Sequence, residues 1–462
     1  FYVTGPCDSL DAAKYPWGWE QVTFDDSAWP RAKGFVQDRG TGRGYIHGTP
    51  WSLIKRTIPF MEQKKERIAR IARYSGIKPN DFLSGKQPLT IPKNTKTVIL
   101  LDNSILTVGY PELLISGGKA SVIKIVYGEA LFDANGVKGN RNQIDGKTIS
   151  GAYDVFIADG EPGRIFRPLC LRTFRYLQME ITTSGDPLVI DDYYNIFTAY
   201  PLKENALFNC QPDTARLTEI WKVGWHTARL CANETYWDCP YYEQLQYVGD
   251  TRIQSLISLY VSGDDRLMRN ALDQINNSVI AEGLTFCRSP SHIQAIIPPF
   301  SLIWVSMVHD YHMHRNDSIF VRQFLPNIRS VLSWYEVRLQ SNGLLGPLDW
   351  WQFMDWTDEF PNGVPPGAES GNSALISLAY VYALQRAADL FTYYGYEYEG
   401  QKYLERSDLI KNGVRSFCYD TERKLFAETP DKKAFSQHTN VMAVLTDMLP
   451  PMQQQELLKK II

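Results

Sequence analysis

At 462 residues the chain is long enough for two or three domains with sizeable cores. Its formal net charge of −3 removes the electrostatic case for nucleic acid or an anionic membrane as partner. Charged residues at 21% beside hydrophobic residues at 44% make ordinary globular composition, not disorder, and no apolar run reaches membrane-spanning length.

Residues 1–60 are rich in Trp, Gly and Pro and lack helical periodicity. The opening FYVTGPC has neither an initiator Met nor a charged-then-apolar segment, so residue 1 reads as a boundary or a mature end and the compartment stays open. WGWEQVTFDDSAWPRA (17–32) resembles the closing part of a jelly-roll module, and KKERIARIAR (64–73) reads as a helical linker. Residues 1–75 are therefore taken as a jelly-roll remnant plus that linker.

Residues 76–205 read as β. TVILLD (97–102), ELLISG (112–117), SVIKIVYG (121–128), YDVFIA (153–158), FRYLQMEI (174–181) and LVIDDYYNIF (188–197) are short, β-branched or aromatic, and bounded by turn residues. Regular spacing of such runs predicts a β-sandwich.

From about 206 the period changes from two to 3.6. Leu217, Ile220, Trp221, Gly224 and Ala228 mark one helix face; Ile253, Leu256, Ile257 and Tyr260 a second; Leu267, Met268, Ala271, Leu272 and Ile275 a third. Helical runs follow at roughly 297–314, 318–341, 372–394, 399–418, 433–447 and 451–462. Short turns alternate with long aromatic loops, as in helical hairpins arranged in a ring. The predicted chain is thus multidomain: an N-terminal β-sandwich, then an all-α domain over 206–462.

The stretch YWDCPYYEQLQYVGDTR (236–252) sets Asp238, Glu243 and Asp250 among Tyr236, Trp237, Tyr241, Tyr242 and Tyr247. Pro240 and Gly249 make it a loop between two helices. Acids interleaved with rings are what a sugar site needs: carboxylates hold hydroxyls and move protons, and rings stack on apolar pyranose faces. Two other readings stand beside this one, Asp250 as a helix N-cap and Glu243 as a solvated loop acid. The loop 343–369 carries Asp349, Trp350, Trp351, Asp355, Trp356, Asp358 and Glu359 in a Gly/Pro/Asn-rich frame. Trp304 is a candidate either for the site or for the core. His309, His312 and His314 lie near a helix end, where imidazolium suits the dipole. His438 and Asn440 sit in a late helix, with nothing local to fix their role. Seven scattered cysteines show no ligand spacing, and no phosphate-loop, dinucleotide or nucleophile-elbow motif occurs, so neither metal nor cofactor is expected.

Asp238-Cys239-Pro240, Glu243 and Gly249-Asp250 resemble the catalytic motif of bacterial α-L-rhamnosidases, glycoside hydrolase family 78. Tyr241, Tyr242, Gln244 and Tyr247 depart from the family's usual residues there, and the gap from D-C-P to the Glu is one shorter. PWSLIKRTIPFMEQK (50–64), YGEALF (127–132), KGNRNQ (138–143), RPLCLRTFRYLQM (167–179) and W-x-F-x-D-W (351–356) continue the resemblance. It implies an (α/α)6 toroid of twelve helices, of which nine runs are counted, so the ring looks incomplete at the C-terminus. It also implies an inverting exo-hydrolase acting on a rhamnose-containing glycoside or oligosaccharide. Glu243 would be the general acid, and Asp238, Tyr247, Asp250, Trp304, Asp355 and Trp356 would bind substrate. The family's general base falls beyond Ile462, so no base is named. Oligomeric state is open. Rival readings are a six-hairpin glycosidase for another sugar, a non-catalytic carbohydrate-binding protein, and a structural α-toroid module.

Overall fold

Alternating apolar residues in the first 200 positions form strands, and the 3.6-residue period after them forms helices. A computed structural model describes residues 5–33, 55–212 and 216–462. The chain divides into two units: 1–201 with Pro240–Glu243, and 202–239 with 244–462.

In the first unit, strands β1 (Ser9–Asp11), β2 (Glu62–Glu66), β3 (Arg70–Ser75), β4 (Leu89–Ile91), β5 (Lys96–Gly117), β6 (Val122–Gly128), β7 (Tyr153–Ile157), β8 (Arg164–Phe166), β9 (Arg172–Thr182) and β10 (Leu188–Ala199) join in one curled sheet. Its path runs β1-β7-β6-β9-β5-β10-β2, with β3 and β8 on β5 and β4 on β10. The runs 97–102 and 112–117, read as two strands, are the two halves of β5. Its register on β9 shifts between Asp102 and Thr107, a bulge that redirects the strand without ending it. The first half lies between β9 and β3, and the second pairs with β10. At Gly109 a Cβ would meet the Ile196 carbonyl at 2.2 Å, so only glycine allows that approach. Ile99, Leu101, Leu113, Ile115, Ile123, Phe156 and Leu177 fill the core inside the curl.

The expected helical linker over 64–73 is instead β2 and β3. Its cations explain why. Arg67 pairs with Asp192, and Arg70 reaches the buried Asp102 at 2.7 Å. Buried carboxylates need such partners, and that tertiary demand overrides a modest helix propensity. Segment 17–32 forms turns, with the Trp17 indole donating to the Ala12 carbonyl at 2.8 Å. The first part of the predicted module exit, 50–54, lies outside the described residues.

The second unit holds α1 (Leu217–Leu230), α2 (Val248–Ile257), α3 (Arg266–Asn276), α4 (Pro298–His314), α5 (Ser318–Arg322), α6 (Leu325–Glu336), α7 (Ala374–Tyr393), α8 (Glu397–Cys418), α9 (Gln437–Leu445) and α10 (Pro451–Ile461). The run 318–341 is split into α5 and α6 and ends at Glu336. A short hairpin, β11 (Tyr419–Asp420) and β12 (Leu425–Phe426), follows α8. Helices α2, α4, α7 and α9 pack in succession, each paired with a chain neighbour: α3 on α4, α6 and α8 on α7, α10 on α9. α4 and α7 are apolar nearly all round and accordingly buried. Each of the four is entered from a long connection: 231–247, 277–297, 337–373 or 419–436.

The face expected of α3 is buried throughout, but that expected of α2 is not. Ile253 and Tyr260 are exposed, while Thr251, Ser255 and Ser258 are buried. Those hydroxyls donate to the carbonyls of Tyr247, Arg252 and Gln254, which removes the cost of burying them.

Candidate active site

The connection 231–247 is closed by its own backbone. Trp237 N–H donates to the Cys231 carbonyl at 2.8 Å, and Asp238 N–H to the Leu245 carbonyl at 2.8 Å. The Asp238 carboxylate accepts from Leu245 N–H at 3.0 Å, so this acid brackets residues 239–244. Helix α2 then starts at Val248, with Tyr247 as its extended N-cap residue. Asp250 is therefore not the cap. It lies inside the first turn, where a carboxylate favours the helix dipole. Gly249 is helical too, not part of the loop, and a Cβ there would touch Phe300 at an ordinary 3.4 Å.

Burial, then the neighbouring Cys239, Asp238 and Asp250, push the Cys231 thiol up to about 12. The two acids thus share one neighbourhood around a buried sulfur. Glu243 is partly buried and closes the segment Pro240–Glu243, which groups with the sheet unit. That segment is fixed at three points: Thr173 Oγ1 donates to the Pro240 carbonyl at 2.5 Å, Tyr241 OH to the Tyr127 carbonyl at 3.1 Å, and Tyr242 OH to Glu129 at 3.1 Å.

Within the helical unit the long connections converge. Gln246 donates to the Ser289 carbonyl at 2.6 Å, and Val248 N–H to the Cys287 carbonyl at 2.9 Å. Tyr247 OH accepts from Arg288 at 2.5 Å, with the guanidinium 5.2 Å from the ring centre. Ring contacts then run edge-to-face from Tyr247 to Phe300 (6.3 Å) and from Phe300 to Phe353 (6.1 Å). Phe353 lies 5.0 Å from both Trp351 and Trp356. A continuous aromatic seam therefore joins Tyr247 to the 343–369 loop. Trp356 is 71% exposed at its end, and Asp355 accepts from His438 Nε2 at 2.9 Å.

Trp304 is 0% exposed, edge-to-face with Phe324 at 6.0 Å within the helical core; of its two candidate roles, packing is the one observed. Arg288 and Phe300 were not singled out in the sequence, because their positions rest on contacts with Tyr247 rather than on a local pattern. Among the described residues no metal-binding group occurs; His309, His312 and His314 instead face Asp389, Tyr394 and the Asp310 carbonyl.

Residues 203–462 match the sequence model of the bacterial α-L-rhamnosidase six-hairpin glycosidase domain. Nothing among curated proteins matches. The structure is similar to a family 78 rhamnosidase of Bacillus sp. GL1, with TM-score 0.71 and 22% identity over 83% of this chain and 39% of that one. A Klebsiella oxytoca rhamnosidase with rhamnose bound gives 0.71 and 18% over 87% and 79%, and a Streptomyces avermitilis α-L-rhamnosidase complexed with L-rhamnose gives 0.69 and 16% over 98% and 39%. At these identities the solved structures share the fold, and this chain spans about two fifths of the Bacillus and Streptomyces proteins.

Proposed function

Because the chain belongs to the bacterial α-L-rhamnosidase family through its six-hairpin glycosidase domain, we propose that it serves as a glycoside hydrolase that removes terminal α-L-rhamnose. The observation that carries this reading is the family match over 203–462, which contains Asp238, Glu243 and Asp250. The same reading takes α1–α10 as part of an (α/α)6 toroid, preceded by a β-sandwich-like domain.

Hydrolysis needs one carboxyl group to protonate the leaving oxygen and a second to activate water, about 6.5–9.5 Å away in an inverting enzyme. Glu243 is the general acid. Asp238 and Asp250 hold sugar hydroxyls and stabilise the oxocarbenium-like charge. Tyr247 packs against the apolar face and the C6 methyl, and Asp355 and Trp356 complete the sugar contacts. The general base is assigned to no residue named here. The seam from Tyr247 to Trp356 supports the binding roles, because it links rings and acids from separate connections.

The test is release of p-nitrophenol from a panel of glycosides by the full-length protein. Hydrolysis of the α-L-rhamnoside is expected, with β-L-rhamnose as the first anomer seen by NMR. Glu243→Gln is expected to lower kcat by roughly 10²–10⁴ with the fold retained. Release from another sugar but not from the rhamnoside, or an active Glu243→Gln protein, would overturn the assignment.

A further inference from the structure

The start of α9 binds two other segments through alternating side chains. Ser436 caps the helix, accepting from Thr439 N–H at 3.0 Å, and its hydroxyl also donates to Glu428. Asn440 holds β12 at both polar groups, accepting from Phe426 N–H at 2.8 Å and donating to the Phe426 carbonyl at 3.0 Å. His438, between them, reaches a different segment. Its Nε2 bonds Asp355 at 2.9 Å, and its ring lies 5.3 Å from Phe360.

Asp355 and Phe360 are the two sides of one small arm. Met354 N–H donates to the Gly363 carbonyl at 2.8 Å, and the Trp351 indole to the Asn362 carbonyl at 3.0 Å, which closes the arm at its base. Gly363 has φ +74°, and a Cβ there would collide with the Phe353 ring at 2.3 Å, so the closure requires glycine. The other Asp355 oxygen accepts from Trp356 N–H at 2.8 Å. The carboxylate therefore links His438 directly to the backbone that carries the exposed Trp356 ring.

We propose that His438 is a positioning residue: it clamps the 354–363 arm to the start of α9, and so sets where Asp355 and Trp356 meet the sugar. The bond is to a charged group, and losing it loosens the arm without altering the acid that protonates the leaving group. The role in sugar binding rests on the rhamnosidase reading; the clamp itself does not.

Two measurements on the full-length protein separate these points. Hydrogen exchange of the amides over 354–363 is expected to quicken about tenfold in His438→Ala and to return towards wild type in His438→Gln, whose amide can again donate. With p-nitrophenyl α-L-rhamnoside, His438→Ala is expected to raise KM about tenfold with kcat within about twofold. Asp355→Ala, which removes the acceptor and the sugar contact together, should raise KM at least as much, and adding His438→Ala to it should make nothing worse. Unchanged exchange in His438→Ala overturns the clamp, and a loss confined to kcat overturns its role in placing Asp355 and Trp356 against the sugar. Should His438→Ala fail to fold, exchange over 354–363 in Asp355→Ala against wild type gives the same comparison. If exchange responds but no rhamnoside is hydrolysed by the wild type, the clamp stands and the rhamnosidase reading falls.

Discussion

At the short-turn end of the helical unit, charges are used up on one another and on the backbone. Arg269 bonds Asp317 and the Tyr311 hydroxyl, and Arg315 bonds Asp265 at 3.1 Å and the Gly263 carbonyl at 2.8 Å. At the long-loop end the pattern inverts. Trp351 and Trp356 stand exposed, Asp355 is half open to solvent, and Glu428 is buried with Oε2 lacking a partner among the described residues. Groups that are satisfied in place hold helices together. Exposed rings beside acids add little to packing and are open to a ligand. The two ends should therefore respond to substitution in opposite ways.

The largest difference is expected between two tryptophans. Trp304→Ala removes a ring at 0% exposure and should cost about 3–5 kcal/mol, read from the urea midpoint. Trp356→Ala should stay within about 0.5 kcal/mol of wild type, because its ring is mostly in water. Its effect should fall on sugar affinity instead. Comparable destabilisation by both would erase the contrast between core and loop end.

This contrast also marks how far the sequence is readable. The six strand runs and the face of α3 follow from local periodicity, and the structure has all six in strands, though 97–102 and 112–117 share β5. The linker over 64–73 is misread because its arginines answer carboxylates distant in sequence, Asp102 and Asp192, which no local propensity records. The face of α2 is misread because its hydroxyls bond within their own helix, so polar residues go inside. In the candidate site, Tyr247, Asp355 and Trp356 stand out in the sequence because rings and acids cluster there beside Gly and Pro, and their roles toward a sugar remain proposals. Arg288, Phe300 and His438 are not, since each takes its meaning from a residue elsewhere in the chain; Asp355 is 83 positions from His438.

At the turn end, Asp317 accepts from Phe320 N–H at 3.1 Å and pairs with Arg269. Asp317→Ala should cost about 1–2 kcal/mol, combining a lost cap with a half-exposed pair, and leave glycoside hydrolysis untouched. Arg269, then the Phe320 amide, hold the Asp317 carboxyl below its ordinary 3.8. Its contribution is thus present above that value and lost as pH falls through the lowered one. Thermal midpoints of the wild type and Asp317→Ala should converge in acid; a constant gap would contradict the assignment.

Glu428, at the loop end, should behave with the reverse sign and the smallest amplitude. Burial raises its carboxyl above the ordinary 4.5, only partly offset by the hydroxyls of Ser436 and Thr439. Between those two values the folded chain keeps a proton that the unfolded chain releases, so stability falls as pH rises. Glu428→Gln retains an acceptor for both hydroxyls and cannot ionise. The variant should match the wild type near pH 4.5 and exceed it as pH climbs, in thermal midpoints taken at constant ionic strength. A gap that narrows with rising pH would mean that Glu428 ionises with a partner, as Asp317 does, and the two ends would then differ in exposure alone.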